Sequence, residues 1–394
     1  MKNEIYLDNA ATTKIKPEVY EIMLPYLKDS FGNPSSIYDL GVEAKEAIEQ
    51  ARKKIAGTLS VSPKTIFFTS GGTESNNWAI IGTAEQKAEI GKHIITTRIE
   101  HHAVLNACHF LENKGYEVTY LDVDEYGFVS LENLYQKIRK DTILVSVMAA
   151  NNEIGTVQPW EKIANIVSKT NAAFHVDATQ AYGQIPMSLA DVPVDLMTAS
   201  GHKFHGPKGV GFLYIKDYKN MRSFHYGGQQ ENGIRAGTEN VASIVGMGEA
   251  AVLAQPKRER FNREVRLRNY MIQRILKEVP YSRLNGPMNQ RLPGNVNISF
   301  MHTQGNMLVL LLDMDHICCS SGSACNSQST KQSHVLSAIG LDEDLARGAI
   351  RFTLDDSITK EQIDYTIEKL KAAVEQLRKN SKEYQSFQQW NHKR

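Results

Sequence analysis

The sequence predicts an α/β fold, with a large domain built on a mostly parallel seven-stranded sheet and a smaller α+β domain. Two observations lead to this prediction. Strand-like and helix-like stretches alternate over about 150 residues in the middle of the chain, a pattern typical of helices layered on a parallel sheet. The length of 394 residues also exceeds the roughly 250–300 residues at which a single core stops growing.

Seven stretches in the first two thirds of the chain have the composition of strands. The apolar run at 143–148 is continuous, which is typical of a strand buried on both faces. Helical patterns separate most of the seven. The predicted strands lie at 66–69, 93–97, 116–120, 143–148, 174–177, 194–198 and 210–215.

The C-terminal third has a different pattern. Five apolar residues at steps of four and three predict one face of a helix, and Thr359 with Gln362 predicts a capping box at its start. Residues 296–300 and 349–352 are predicted strands of the smaller unit. The five apolar residues are Ile363, Ile367, Leu370, Val374 and Leu377.

The domain boundary is predicted near residues 255–256. The large domain then comprises 15–254, and the small domain comprises 1–14 together with 255–394. The polar tail after Lys379 contains three aromatic residues at a spacing of three, so it is either a frayed end or a docking segment. These aromatic residues are Tyr384, Phe387 and Trp390.

Composition excludes several classes of function. The 45 basic and 44 acidic residues leave a net charge of +1, without the clustered basic face that nucleic-acid binding requires. The longest apolar run, 143–150, is far shorter than the ~20 residues that span a bilayer. With no visible targeting segment, we expect a cytoplasmic protein that binds neither nucleic acid nor membrane.

The cysteines and histidines do not predict a disulfide framework or a metal site. The four cysteines contain no C-x-x-C pair, and a disulfide framework is unexpected in a chain of this length. The His-rich stretches lack partner ligands at a usable spacing, so no metal is expected. The cysteines are Cys108, Cys318, Cys319 and Cys325.

Two turns that follow predicted strands are candidates for binding a charged ligand. The sequence TSGGTESN at 69–76 opens a helix with two glycines, where free N–H groups favour a phosphate, although a plain tight turn has the same pattern. Asp177 ends the strand at 174–177. Its carboxylate could pair with a cationic ring nitrogen beyond the carboxyl end of a parallel sheet, or could cap a helix.

A lysine loop and a cysteine loop could supply reactive groups. Lys203 and Lys208 lie in SGHKFHGPKG at 200–209, and a lysine shielded from water can form a Schiff base. Cys325 lies among small polar residues at 320–330, as suits a nucleophilic thiol, which needs exposure. Cys108, Cys318 and Cys319 are predicted to be packed.

Taken together, these segments resemble the cysteine desulfurases of group I, in the class V aminotransferase branch of the fold-type I pyridoxal-phosphate enzymes. The resemblance covers residues 5–377, and the joint match is specific although each motif alone is not. The matching segments are YLDNAATT at 6–13, FGNPSS at 31–36, DATQ at 177–180, SGHK at 200–203, RAGTEN at 235–240, SGSAC at 321–325 and SHVL at 333–336.

The resemblance implies a set of cofactor-binding residues for pyridoxal 5'-phosphate. Lys203 would form the Schiff base with its aldehyde, and Asp177 would keep its ring nitrogen protonated. Gln180 and Asn152 would lie near the ring hydroxyl, and His101 rather than His102 would stack on the ring and move protons. The residues that would hold the phosphate are Gly72, Thr73, Ser200, His202 and, from the second subunit of a homodimer, Thr238.

The resemblance also implies the reaction. Arg351 would bind the carboxylate of L-cysteine with its planar fork, and Asn152 would lie beside the substrate. Cys325, in the loop at about 320–333, would collect the sulfur as a persulfide and leave L-alanine. The sulfur would go to an iron–sulfur scaffold protein or another acceptor, such as a tRNA-thiolation or nitrogenase-dedicated system.

Other functions remain open at this point. An aminotransferase acting on serine or glycine would use Lys203 and Asp177 without Cys325, whereas a selenocysteine lyase or cysteine-sulfinate enzyme would share all three. A non-catalytic scaffold would need none of them. Several positions also depart from the family pattern, and these leave the substrate entrance and partner surfaces open. They are Tyr38, Asn232, Arg347, the pair Asp355 and Asp356, and the pair Cys318 and Cys319.

Overall fold

The computed structural model describes residues 4–321 and 332–391, without side chains at 382, 383 and 389–391. Its strands are β1 Ile5–Tyr6, β2 Ile66–Thr69, β3 His93–Thr97, β4 Glu117–Leu121, β5 Thr142–Met148, β6 Ala173–Asp177, β7 Leu196–Ser200, β8 Gly211–Ile215, β9 Ser282–Leu284, β10 Asn295–Phe300, β11 Ile317–Cys318, β12 Ser320–Ser321 and β13 Ala349–Thr353. Its helices are α1 Pro17–Lys28, α2 Asp39–Leu59, α3 Gly72–Asn77, α4 Thr83–Gln86, α5 His102–Glu112, α6 Leu131–Lys137, α7 Trp160–Val167, α8 Val241–Leu253, α9 Arg258–Glu278, α10 Gly305–Met314, α11 His334–Ala338, α12 Glu343–Arg347, α13 Lys360–Lys379 and α14 Lys382–Asn391.

A seven-stranded sheet forms the centre of the fold, in the order β2-β8-β7-β6-β5-β3-β4. Strand β8 runs antiparallel to both of its neighbours, and the remaining pairs are parallel. The predicted α/β class and the mostly parallel seven-stranded sheet are therefore confirmed. Each predicted strand lies within two residues of an observed one.

Burial explains why the central strands have continuous apolar runs. All seven residues of β5 are buried, because helices cover the sheet on both sides. Trp78 and Cys108 belong to the apolar cluster on one face, whereas Trp160 and Phe174 belong to the cluster on the other. A strand covered on both faces cannot alternate polar and apolar side chains, and this explains the pattern at 143–148.

A second, antiparallel sheet has the order β12-β13-β10-β9. It packs with α9 and α13 around a separate apolar cluster that also contains Ile5 and Leu7 from the start of the chain. The capping box predicted at the start of α13 is confirmed, since the Thr359 side chain accepts from the Gln362 backbone and the Gln362 side chain accepts from the Thr359 backbone. The division into domains at 15–254 and 1–14 with 255–394 stays a prediction.

The last helix, α14, packs against the residue that precedes β9. The rings of Tyr384 and Phe387 pack edge-on against Tyr281. The tail is therefore a docked helix over its described length. Among the helices of the described ranges, none is long and apolar enough to cross a membrane.

The topology brings the carboxyl ends of the parallel strands to one edge of the large sheet. Met148 at the end of β5 is aligned with Asp177 at the end of β6, and Asp177 is aligned with Thr198 on β7. Ligands of open α/β sheets bind beyond this edge. Strand β13, which carries Arg351, approaches the same edge from the second sheet.

Candidate active site

A cavity of about 320 Å³ lies at this edge of the sheet. Ten of the twelve predicted site residues line it. Thr238 is exposed and is not among the lining residues, and Cys325 lies outside the described residues. The ten are Gly72, Thr73, His101, Asn152, Asp177, Gln180, Ser200, His202, Lys203 and Arg351.

Lys203 is held at the cavity by the N-terminal segment of the chain. It lies on a short 3₁₀ turn, Gly201–Lys203, directly after β7. Its Nζ donates to the carbonyl oxygens of Ala10 at 2.6 Å and Ala11 at 2.8 Å. The Gln180 side chain donates to the same Ala10 carbonyl at 3.0 Å. The amine is thereby directed to one place in the cavity before any ligand binds.

The Asp177 carboxylate is buried and oriented by two donors. It is 2% exposed, and it accepts from Asn76 Nδ2 at 2.7 Å and from the Thr179 backbone at 2.9 Å. On the same strand, burial lowers the pKa of His175 to about 4. The two hydrogen bonds orient the Asp177 carboxylate, which lines the cavity.

His101 has a defined tautomer. It caps α5, and its Nδ1 accepts from the Ala103 backbone at 3.1 Å. An atom that accepts from an N–H carries a lone pair, so the proton of the neutral ring is on Nε2. Burial lowers the pKa of His101, although the Asp177 charge opposes this effect. The neutral ring therefore lines the cavity with its N–H at Nε2.

The start of α3 forms an anion-binding end of the cavity. Gly71 has a φ of +148°, in a region that favours glycine. A Cβ on Gly72 would lie 3.1 Å from Thr179 Oγ1 and 3.5 Å from the Ser200 side chain. The absence of a side chain keeps this space open between a helix N-terminus and three hydroxyl groups, those of Thr73, Thr179 and Ser200.

His202 completes the polar wall at this end. Its Nδ1 lies 3.2 Å from Thr12 Oγ1. Burial, reinforced by the Lys203 charge, lowers the pKa of its ring to about 4. A neutral imidazole can donate one hydrogen bond to an anion without adding charge.

Arg351 lines the cavity and forms a partly buried ion pair. It is 4% exposed. Its Nη1 donates to the Asn152 carbonyl and its Nη2 to Asp8 Oδ1, both at 2.9 Å. Asp8 also accepts from Ser320 Oγ at 2.7 Å. The guanidinium is thus fixed in place by a protein carboxylate and a backbone carbonyl.

Two carboxyl groups near the cavity have raised pKa values. Burial raises the pKa of Glu100, which precedes His101, to about 8. Burial also raises the pKa of Glu153 to about 7. Glu153 accepts from Ser333 Oγ at 2.5 Å, and Ser333 caps α11. Glu153 therefore holds the N-terminal end of α11.

These residues fit pyridoxal phosphate. Thr179 Oγ1 and Asn76 Oδ1, both on cavity-lining residues, are buried atoms without a hydrogen-bond partner among the described residues. The open helix start suits a phosphate, and the Asp177 carboxylate suits a protonated ring nitrogen. Lys203 lines the same cavity. The donor set therefore matches a ring that carries an aldehyde and a phosphate.

Several residues of the site were not assigned a role from the sequence. Asn76 lies four residues beyond the glycines, and Thr179 lies within the DATQ segment, so local motifs were the only signal for them. Asp8 lies in the YLDNAATT segment, which gave no indication of its ion pair with a residue 343 positions away. Ala10 and Ala11 contact Lys203 through their backbone carbonyls, and a pattern of side chains does not predict such contacts.

Comparisons with known proteins agree with this geometry. The family model described as Aminotransferase class-V matches residues 5–366. A cysteine desulfurase IscS of Dictyoglomus turgidum is 50% identical over 379 residues, covering 96% of this chain and 96% of that relative. A cysteine desulfurase IscS of Methanosarcina thermophila is 48% identical over 388 residues, covering 97% of this chain and 96% of that relative.

Solved structures give the same result. A NifS-like protein superposes with a TM-score of 0.88 at 40% identity, covering 94% of this chain and 99% of its own. A structure described as SspA in complex with cysteine has a TM-score of 0.80 at 38% identity, covering 89% of this chain and 99% of its own.

Proposed function

The chain belongs to the aminotransferase class-V family and, within it, to the cysteine desulfurases, and from this premise we propose that it converts L-cysteine to L-alanine and passes the sulfur to Cys325. The observation that carries the proposal is one cavity lined by Lys203, Asp177, His101 and Arg351. A lysine amine, a buried anion, a neutral imidazole and a carboxylate-binding guanidinium are the groups that this reaction needs at one carbon atom.

The cofactor of the proposed enzyme is pyridoxal phosphate. When bound, it supplies a cationic ring that withdraws electrons from the substrate Cα. Asp177 would hold the ring nitrogen in its protonated form, and Gln180 with Asn152 would lie near the ring hydroxyl. Gly72, Thr73, Ser200 and His202 would hold the phosphate at the start of α3.

Lys203 would act both as the attachment point and as a base. Its Nζ now donates to the carbonyls of Ala10 and Ala11, which stabilise the ammonium form. With the substrate bound, Lys203 would remove the proton from the substrate Cα. His101, with its proton on Nε2, is the second group placed to move a proton in the cavity.

The sulfur-transfer step is proposed for Cys325, in the SGSAC segment. Its thiolate would attack the substrate Sγ, forming an S–S bond, while the substrate Cβ–Sγ bond breaks and its electron pair stays with the carbon skeleton. Protonation of that skeleton gives alanine, and Cys325 keeps the persulfide. No outside oxidant is needed, because the substrate sulfur itself is transferred.

Arg351 would recognise the substrate carboxylate. Its Nη1 and Nη2 are held by Asn152 and Asp8, and its buried Nε has no partner among the described residues. A carboxylate that enters the cavity would meet a guanidinium whose plane is already fixed. This arrangement favours an amino acid over a simple amine.

Assembly, location and acceptor are proposed on the same premise. The segment that carries Thr238 is fixed to α3, because Arg235 donates to Glu74 at 2.8 and 3.1 Å. Thr238 itself is exposed, as suits a residue that reaches the phosphate of a second subunit in a homodimer. The acceptor would be an iron–sulfur scaffold protein or another sulfur acceptor in the cytoplasm.

The test is a single-turnover and steady-state assay in which alanine and sulfide are measured together, with a thiol reductant present to release the sulfur. Equal amounts of both products are expected from the unaltered protein. The Cys325→Ser variant should keep the visible absorbance of the cofactor and lose both products, whereas Lys203→Ala should lose that absorbance. Cys318→Ser is the matched thiol control. Sulfide release that persists in Cys325→Ser would overturn the assignment.

A further inference from the structure

A histidine and two aspartates meet outside the cavity. One ring nitrogen of His205 and one carboxylate oxygen each of Asp355 and Asp356 all lie within 4.8 Å of one another. None of the three lines the cavity among the described residues. His205 follows Lys203 by two positions, and the aspartates follow β13, the strand of Arg351. The segments that carry Lys203 and Arg351 therefore come together here as well as at the cavity.

The hydrogen bonding of His205 leaves one nitrogen with a lone pair. The residue is 6% exposed, and its Nδ1 lies 3.0 Å from the Lys14 carbonyl. Because a carbonyl can only accept, Nδ1 carries the proton, and Nε2 of the neutral ring must offer a lone pair. Within the described part of the chain, Nε2 has no hydrogen-bond donor. A backbone carbonyl that fixes one ring nitrogen is also the usual arrangement around a metal-binding histidine.

Each of the two carboxylates keeps one oxygen atom without a donor among the described residues. Asp355 Oδ1 accepts from the Ser357 backbone and hydroxyl at 2.9 and 2.6 Å, whereas its Oδ2 has no donor in the described ranges. Asp356 Oδ2 pairs with Lys16 at 3.2 Å and more distantly with Arg260 at 3.8 Å. Lys16 thus neutralises only one of the two aspartates. A further cation at this place would be attracted by the carboxylate of Asp355, which forms no ion pair in the described part of the chain.

The spacing is somewhat wider than that of a coordination sphere. Metal–ligand bonds of about 2.0–2.2 Å in a tetrahedral site place neighbouring ligand atoms ~3.4 Å apart. Atoms that lie within 4.8 Å of one another therefore need to close by ~1 Å to bind one ion. Both aspartates are half-buried, so their side chains can turn by this amount. One imidazole with two carboxylates suits Zn²⁺, Mn²⁺ or Fe²⁺ better than Mg²⁺ or Ca²⁺, which prefer oxygen alone.

We propose that His205, Asp355 and Asp356 bind one divalent transition-metal ion, which ties the loop of Lys203 to the strand of Arg351. The ion takes no part in bond breaking, since none of its ligands reaches the cavity. It fixes the separation between the residue that holds the cofactor and the residue that holds the substrate carboxylate. Lys16 competes with the ion for Asp356, so the affinity is moderate and the occupancy follows the supply of metal.

The test is titration of the holoenzyme with Mn²⁺ in the absence of substrate, with free Mn²⁺ followed by its EPR signal. Mn²⁺ is chosen because it binds thiolates poorly, so the cysteines do not interfere. We expect one Mn²⁺ ion to bind per chain and to be displaced by added Zn²⁺. The His205→Gln variant should bind Mn²⁺ at least ~100-fold more weakly. This loss is larger than the one expected when only an outer-shell partner of a metal ligand is removed. His109→Gln, which alters an exposed histidine on α5, should bind as the unaltered protein does.

Two further variants keep the test decisive if His205→Gln does not fold. Asp355→Asn changes few atoms and should also weaken Mn²⁺ binding. Lys16→Ala removes the competing cation and should tighten binding several-fold, a gain that misfolding cannot imitate. No Mn²⁺ or Zn²⁺ binding by the holoenzyme would overturn the proposal. Binding that is equal in His205→Gln and the unaltered protein, or weaker in Lys16→Ala, would overturn it too.

Discussion

Arg351 and Asp8 form a partly buried ion pair, with Nη2 2.9 Å from Oδ1. A substrate carboxylate must share Arg351 with this protein carboxylate, so Asp8 sets an upper limit on substrate affinity. Replacing Asp8 by Asn keeps an acceptor for Ser320 and removes the competing charge. Asp8→Asn should therefore bind L-alanine, the product, up to about tenfold more tightly, which corresponds to ~1.4 kcal/mol. The Kd from perturbation of the cofactor absorbance measures this, and weaker binding would show that Asp8 orients Arg351 rather than competing with the ligand.

Asn76 is expected to support catalysis through Asp177. Its Nδ2 donates to a carboxylate that is almost fully buried, and a hydrogen bond to a charged group contributes ~1.5–3 kcal/mol. Asn76→Ala should lower kcat by roughly 10–100-fold and should shift the pH dependence of the cofactor absorbance. Asn113→Ala, which removes an exposed amide at the end of α5, is the matched control. An unchanged absorbance profile in Asn76→Ala would mean that Asp177 does not need this donor.

The two neighbouring histidines should differ in their effect on the rate. His101 lines the cavity, whereas His102 packs at a tilt against His334 with ring centres 4.8 Å apart. Loss of a general acid–base group costs ~10²–10⁴ in rate, so His101→Gln should lower kcat by about 100-fold or more, and His102→Gln by far less. Steady-state kinetics on both variants, with the cofactor content measured alongside, makes the comparison. Equal losses would contradict the assignment of His101.

The stability of the fold should depend on pH through Glu100. This carboxyl is fully buried, and burial raises its pKa from 4.5 to about 8. The folded protein therefore binds this proton more tightly than the unfolded chain, and the free energy of unfolding falls as the pH rises from 4.5 to 8. Glu100→Gln removes the ionisation, so the variant should be more stable than the unaltered protein at pH 8, by ~4 kcal/mol, and within ~1 kcal/mol of it at pH 5.

Urea denaturation of Glu100→Gln at pH 5 and pH 8 measures this difference. The control is Glu132→Gln, which changes an exposed carboxyl on α6 and should give the same difference at both pH values. A Glu100→Gln variant whose advantage is independent of pH would show that Glu100 is already paired in the folded protein.

Much of the fold could be predicted because its signals are local. The continuous apolar run of β5 and the capping box of α13 each depend on residues within a few positions of one another. The strand ends that hold Asp177 and Ser200 could also be located, because ligand-binding residues of a parallel sheet follow its strands directly. The resemblance to a family then supplied roles that no local pattern contains.

The remaining features depend on contacts between distant parts of the chain. The pairing of Asp8 with Arg351 and the meeting of His205 with Asp355 result from the packing of the second sheet against the first. No spacing rule connects such positions, and this is why the proposed metal ligands could not be predicted from the sequence. The tautomer of His101 likewise depends on one backbone N–H, that of Ala103, which only coordinates can locate.

The pairing of β1 with β11 has a consequence for synthesis of the protein on the ribosome. Ile5 lies opposite Ile317, so β1 must wait for more than three hundred later residues to be made before it can pair. The central sheet can form while the chain is still emerging, whereas the segment that supplies the Ala10 and Ala11 carbonyls to Lys203 is locked only after β11 has been made. The nascent chain should therefore be unable to retain a cofactor before β11 leaves the ribosome.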